Sequence, residues 1–277
     1  MPFVDIDGQS LHFLDRGTGF PVLLGHSYLW NSAMWAPQIE ALSRSFRVIV
    51  PDLWGHGRSG ALPEGTRTLG DLAGQMSRLL DALDVSACAV VGLSVGGMWG
   101  AELALREPER IRALVMMDSF LGEEPAPTRA RYFQMLDAVE AKGGFPTPVL
   151  DAVVPLFFRA GADPGEPLPA AFRRALEAFP SDRLRDSIAP LGRLIFGRPD
   201  ARSRISALDP DRVLVMSGAF DIPRPPAESA RMAEVIGCRH VIVPDAGHIS
   251  NLENAPFVTE ALSALLTRLA PTHPPTC

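Results

Sequence analysis

Short apolar runs alternate with stretches of helical periodicity along most of the chain. Pro21 to Leu24, Arg47 to Val50, Ala87 to Val91, Ile111 to Met117, Val213 to Met216 and His240 to Val243 are nearly continuous in apolar residues. Runs of this length predict strands covered on both faces. Ahead of them, Phe3 to Ile6 and Leu11 to Leu14 flank Asp7-Gly8, a pair suited to a type I′ turn, so the chain opens with a hairpin. Helical patterns fall between the later runs, at Thr68 to Leu83, Gly96 to Arg106, Ala227 to Ile236 and Phe257 to Leu269. The alternation predicts an α/β fold with a mostly parallel central sheet of about eight strands, flanked by helices.

One segment departs from this pattern. From Phe120 to Asp209 there is no strand signal, only amphipathic stretches near Thr128 to Ala141, Val149 to Arg159, Ala170 to Phe179 and Asp182 to Phe196. We expect a core domain of residues 1–119 and 210–277, with a helical cap, residues 120–209, inserted over one end of the sheet. Sites in open α/β sheets lie beyond the carboxyl ends of the strands, so the cap should roof the site. The tail from Pro271 to Pro275 should be loose.

Composition narrows the function only slightly. The 277 residues are 47% hydrophobic and 21% charged, ordinary for a globular protein. A net charge of −6 argues against a nucleic-acid partner, which would call for a basic surface. The three cysteines, Cys88, Cys238 and Cys277, form no close pair, so neither a disulfide framework nor a zinc knuckle is expected. No metal-ligand spacing and no GxGxxG after the first strand are found, so no metal and no nucleotide cofactor is expected. Acids near the start in place of a basic leader, and no apolar run long enough for a bilayer, predict a cytoplasmic protein with no membrane partner.

The strongest chemical signal is Gly92-Leu93-Ser94-Val95-Gly96-Gly97, which directly follows an apolar strand and directly precedes a helical pattern. That is the context of a nucleophile elbow: serine on a sharp strand-to-helix turn, with glycines two residues away on either side leaving it room. Serine alone is a poor nucleophile and needs a base and an orienting acid. His248, just past the last apolar run, is the candidate base. Asp221 is the candidate acid, in the chain order Ser, Asp, His, and Asp118, at the end of the strand after the nucleophile helix, is its rival. The negative charge of an acyl-transfer transition state needs donors already in place. One is the Val95 amide; the other should come from the loop Gly25-His26-Ser27-Tyr28.

These blocks, with His26-Ser27-Tyr28 through Met34-Trp35, Asp52-Leu53-Trp54-Gly55-His56-Gly57-Arg58-Ser59 and Ala246-Gly247-His248, resemble the α/β-hydrolase superfamily in its branch of small cap-bearing esterases, lactonases and C–C hydrolases. Gly92 to Met98 and Pro108-Glu109-Arg110 are similar to the corresponding segments of 3-oxoadipate enol-lactonases. The resemblance implies a catalytic Ser94, His248 and Asp221 and an oxyanion hole from the amides of Val95 and Tyr28. Ser27 stands where the family usually has glycine. Ser94 argues against the related dehalogenases and epoxide hydrolases, which carry aspartate there.

The expected substrate is therefore a small, largely apolar carboxylic ester or lactone. The alternatives are C–C bond hydrolysis of a ring-cleavage product, an enol-lactonase of aromatic degradation and, from another class, a non-catalytic ligand receptor. Trp30, Phe133 and Phe157 are the candidate substrate-binding residues. An inward-facing arginine of the cap, from among Arg129, Arg131, Arg159, Arg173, Arg174 and Arg183, would favour a substrate with a carboxylate.

Overall fold

The computed structural model describes residues 2–269; the tail beyond, with Cys277, lies outside the described residues. Eight strands form one sheet: β1 (Phe3–Ile6), β2 (Gln9–Arg16), β3 (Pro21–Gly25), β4 (Arg47–Pro51), β5 (Cys88–Leu93), β6 (Ile111–Met117), β7 (Val213–Gly218) and β8 (Arg239–Val243). Their order is β1-β2-β4-β3-β5-β6-β7-β8. β2 is antiparallel to both β1 and β4, and every later pair is parallel. Asp7 and Gly8 both take positive φ, 53° and 76°, as the opening type I′ turn requires. β2 runs longer than its apolar stretch because it pairs with a neighbour on each side.

The central strands are as buried as their composition predicts: all six residues of β5 and all six of β7 are shielded from solvent. Helices cover the sheet. α1 (Ala36–Leu42) packs on the helix Ala255–Leu269, and α2 (Leu69–Ala82) packs on α3 (Val95–Arg106). α2 begins on a reciprocal cap, in which the Thr68 hydroxyl accepts from the Asp71 amide and the Asp71 carboxylate accepts from the Thr68 amide. α1 has no counterpart in the periodicity read from the sequence. It is a short helix after a 3-10 turn, and Pro37 in its first turn is the cue that marks it.

Between β6 and β7 the described chain forms only helices: α4 (Ala126–Lys142), α5 (Thr147–Val153), α6 (Pro167–Glu177), α7 (Ser181–Arg183) and α8 (Ala189–Phe196). The stretch from Val149 to Arg159, which reads as one amphipathic unit, is broken. α5 ends at Val153 and a 3-10 turn, Val154–Phe157, carries Pro155, which has no N–H to continue the helix. Asp182 to Phe196 is interrupted in a related way. A π turn at Leu184–Ile188 bonds the Ala189 amide to the Leu184 carbonyl, one residue before Pro190.

One buried carboxylate ties the loops that frame the carboxyl end of the sheet. Asp52, after β4, accepts from the Ser32 amide at 2.7 Å, the Arg58 amide at 2.9 Å and His12 Nδ1 at 2.8 Å. Burial alone would raise its pKa, but the His26 ring and the Ser32 and Arg58 donors outweigh it and hold the carboxyl below the ordinary aspartate range. A depressed folded pKa contributes stability above the unfolded value and loses it as pH falls through the folded one. Asp52→Asn should therefore cost roughly 1–3 kcal/mol at neutral pH. The gap to wild type should close as pH drops below about 4. Denaturant melts at both ends of that range check the sign.

Candidate active site

Ser94 sits between β5 and α3 with φ 55° and ψ −119°, a conformation that an L-residue holds only when its surroundings impose it. The surroundings are backbone and one side-chain hydroxyl. The Ser94 amide donates to the Met117 carbonyl at 2.8 Å, and the Ser119 hydroxyl donates to the Ser94 carbonyl at 2.7 Å. A Cβ on Gly92 would lie 2.1 Å from the Gly96 carbonyl carbon, and one on Gly96 would lie 2.2 Å from the Gly25 carbonyl oxygen. The two glycines thus let α3 approach β5 and β3 closely enough to aim its first turn at the serine. The free amides and the dipole of that turn favour negative charge.

His248 and Ser94 open onto the same cavity. His248 Nδ1 donates to Asp221, at 3.0 Å from Oδ2 and 3.2 Å from Oδ1. The carboxylate can only accept, so Nε2 is the nitrogen left for the cavity side. Burial pushes the His248 pKa down to about 4, which keeps the imidazole neutral at ordinary pH. Burial also raises the Asp221 carboxyl, while the Arg224 amide on Oδ1 at 2.9 Å pulls it the other way. Asp118, the rival acid, is occupied elsewhere. Its Oδ1 accepts from the Gly218 amide at 2.7 Å and its Oδ2 from the Ser250 hydroxyl at 2.5 Å. Burial, reinforced by the nearby Asp221 charge, raises its pKa well above the usual range.

The loop after β3 is stapled by two neutral histidines. His26 Nδ1 donates to the Ser27 carbonyl at 2.7 Å and Nε2 accepts from the Leu53 amide at 2.7 Å. His56 Nδ1 donates to the Trp54 carbonyl at 2.9 Å and Nε2 accepts from the Leu29 amide at 3.0 Å. Burial lowers both pKa values, that of His56 to about 3. The Ser27 amide donates to Met34 Sδ at 3.4 Å. With the amides of Ser27 and Leu29 turned inward, the Tyr28 amide lies between two that are occupied. Ser27 itself lines the cavity, and its buried hydroxyl has no hydrogen-bond partner among the described residues.

The cavity holds about 820 Å³ of empty volume, its mouth included, between the carboxyl ends of the strands and the inserted helices. Phe157 lines it and meets the His248 ring edge-on at 5.6 Å. Trp30 and Phe133, expected beside it, do not line it. Trp30 is stacked flat on Phe172, at 4.6 Å and 5°, and Phe133 lies against the turn at Gly197. None of the six cap arginines named as candidates lines it either. Arg159 and Arg173 are spent on Glu166 and Asp151, and Arg183 on the Gly57 carbonyl. The arginine that does line the wall is Arg224, three residues after Asp221, and Glu124 and Tyr132 line it too. Nothing in its proline-rich sequence context singles it out.

A family model described as the alpha/beta hydrolase fold matches residues 21–255. The chain belongs to that family. It is similar to a thermophilic esterase from Thermogutta terrifontis at 29% identity, with 95% of each chain covered and a TM-score of 0.84. It is similar also to the enol-lactonase from Burkholderia xenovorans LB400 at 30% identity, over 96% of this chain and 100% of that one, with a TM-score of 0.83. RutD of Azorhizobium caulinodans, named a putative carbamate hydrolase, is 38% identical over 43% of this chain. The alignment spans only 45% of that relative's length. Among the described residues, no helix is long and apolar enough to cross a membrane.

The glycine contacts make a direct prediction. Gly92→Ala meets backbone rather than a flexible side chain. It should destabilise by about 1–3 kcal/mol or more. Gly144→Ala, with nothing within 4 Å of the added methyl, should stay near wild type. Thermal melts of the two variants make the comparison.

Proposed function

We propose that this hydrolase of the alpha/beta type is a serine hydrolase that cleaves a carboxylic ester or lactone through an acyl-enzyme on Ser94. The single observation that carries the reading is the shared cavity. Ser94, on its strained turn, and His248, held through Nδ1 by Asp221, open onto one apolar space. In the proposed sequence His248 Nε2 takes the Ser94 hydroxyl proton as Oγ attacks the scissile carbonyl carbon. The carbonyl oxygen becomes an oxyanion, received by the amides of Val95 and Tyr28. The tetrahedral intermediate then expels the alkoxide, which leaves with the proton held on His248. A water enters, gives a proton to His248 and attacks the ester formed on Ser94. Collapse releases the acid and returns the proton to Oγ. Asp221 fixes the His248 tautomer and stabilises the imidazolium formed twice per turnover. The Ser27 hydroxyl, without a hydrogen-bond partner among the described residues and belonging to a residue that lines the same space, is a further donor within the loop. The inserted helices act as the cap that keeps bulk water from the acyl-enzyme.

The similarity to an esterase and to an enol-lactonase, each over nearly the whole chain, supports this reading, and the predominance of apolar residues in the wall supports a largely apolar substrate.

Ser94→Ala should lower kcat/KM for a p-nitrophenyl ester series, acetate to decanoate, by about ten-thousandfold. An unchanged rate would refute the serine mechanism. The pH profile follows from the base. With His248 at about 4, the imidazole is neutral and competent above that pH and is protonated below it. kcat/KM should therefore hold level from neutrality down to about pH 5 and fall below it. An acid limb at the ordinary histidine value, about 6.5, would contradict the buried histidine.

A further inference from the structure

The cavity wall is apolar over most of its extent, yet it also contains a buried ion pair. Glu124 and Arg224 are only 3% and 6% exposed, and Tyr132 lies beside them. Charges in such a wall are costly unless their hydrogen bonds are filled. Both oxygens of Glu124 are engaged: Oε1 accepts from Arg198 Nη1 at 2.9 Å and Oε2 from Arg224 Nη2 at 2.8 Å. One carboxylate therefore serves two guanidinium groups. Arg198 points away from the cavity and gives its other donors to the Phe120 and Ile195 carbonyls, at 3.1 and 2.9 Å. Arg224 forms part of the cavity wall. It is fixed by Glu124, by its Nε on the Pro223 carbonyl and by the Phe120 ring, 5.5 Å from the guanidinium carbon. Its Nη1 is buried without a hydrogen bond. The nearest acid, Glu228 Oε2, lies 3.4 Å away without a hydrogen bond of its own, and Glu228 does not line the cavity.

We propose that Arg224 is a carboxylate subsite, so that the favoured substrates are esters or lactones bearing a second, anionic group away from the scissile carbonyl. The proposal rests on the serine-hydrolase reading and adds the substrate class to it. A guanidinium held rigid before the substrate arrives loses little freedom on binding and presents its donors in one plane, which suits a carboxylate. Arg198 and Arg224 balance Glu124 and Glu228, so the cluster carries no excess negative charge where the anion would lie. The same trio also ties the start of α4, through Glu124, to the segment after α8, through Arg198, and both to the loop after β7. A clamp with that role alone would act on all substrates alike; a subsite separates anionic from neutral ones.

The test compares mono-p-nitrophenyl esters of succinate, glutarate and adipate with the same compounds capped as methyl esters. In wild type the best free acid should exceed its capped partner in kcat/KM by about tenfold or more, the effect of one charged hydrogen bond. In Arg224→Gln that ratio should collapse toward one. Equal rates for acid and capped ester in wild type would overturn the proposal even if the variant fails to fold, and so would an unchanged ratio in a folded Arg224→Gln. Labelling of Ser94 by a fluorophosphonate separates the two levels. Labelling and neutral-ester turnover without an anionic preference would overturn the subsite and leave the serine mechanism standing. No labelling and no turnover of any ester would overturn both.

Discussion

The site depends on how closely α3 lies against β3 and β5. At Gly25, Gly92 and Gly96 the backbones meet with no space for a side chain. That contact forces the chain to turn sharply at Ser94, at positive φ, a cost of about 1–3 kcal/mol that the packed sheet has to absorb. Because the turn is set by backbone against backbone, the serine cannot relax without moving two strands and a helix together. Its position is therefore a property of the sheet more than of the loop. The same approach directs the unsatisfied amides of the first turn of α3 at the place where negative charge would develop.

The remaining parts are held by polar groups buried around that centre. Asp52, His26 and His56 each hydrogen-bond the backbone of a neighbouring loop, at Ser32, Leu53 and Leu29, which fixes the chain around Gly25 to Ser32. Glu253 does the same for the His248 loop, accepting from the Gly247 amide at 2.7 Å and from the Arg159 amide at 2.9 Å. A single carboxylate thus joins the histidine loop to the inserted helices. Phe157, two residues before Arg159, is held there against the His248 ring, so the roof of the cavity and the candidate base are coupled by contact.

The strands and the elbow were legible in the sequence because both are local. Continuous apolar runs mark doubly covered strands, and glycines two residues either side of a serine mark the turn. The choice between Asp221 and Asp118 was not local, since both follow a parallel strand at its carboxyl end. What separates them is the Gly218 amide and the Ser250 hydroxyl, which occupy Asp118 from distant parts of the chain. Aromatic content named Phe157 and also Trp30 and Phe133, because composition does not say which ring faces the cavity and which stacks on Phe172 or a turn. Proline positions, at Pro155 and Pro190, divided helices that periodicity alone would have run together. Arg224 and Glu124 were illegible, since their partnership is made only when the loop after β7 meets the chain ahead of α4.

The proposed mechanism has Ser94 carry the acyl group during turnover. Acid quenching of the Asp221→Asn variant while it turns over p-nitrophenyl butyrate, followed by mass spectrometry of the proteolytic peptides, tests it most directly. Replacing Asp221, the acid proposed to orient His248, should slow both halves of the proposed reaction and so give the intermediate time to be caught. A butyryl adduct is expected on the peptide containing Ser94, and none when Ser94 is also replaced by alanine. Continued turnover with no adduct at Ser94, or with an adduct on another residue, would contradict it.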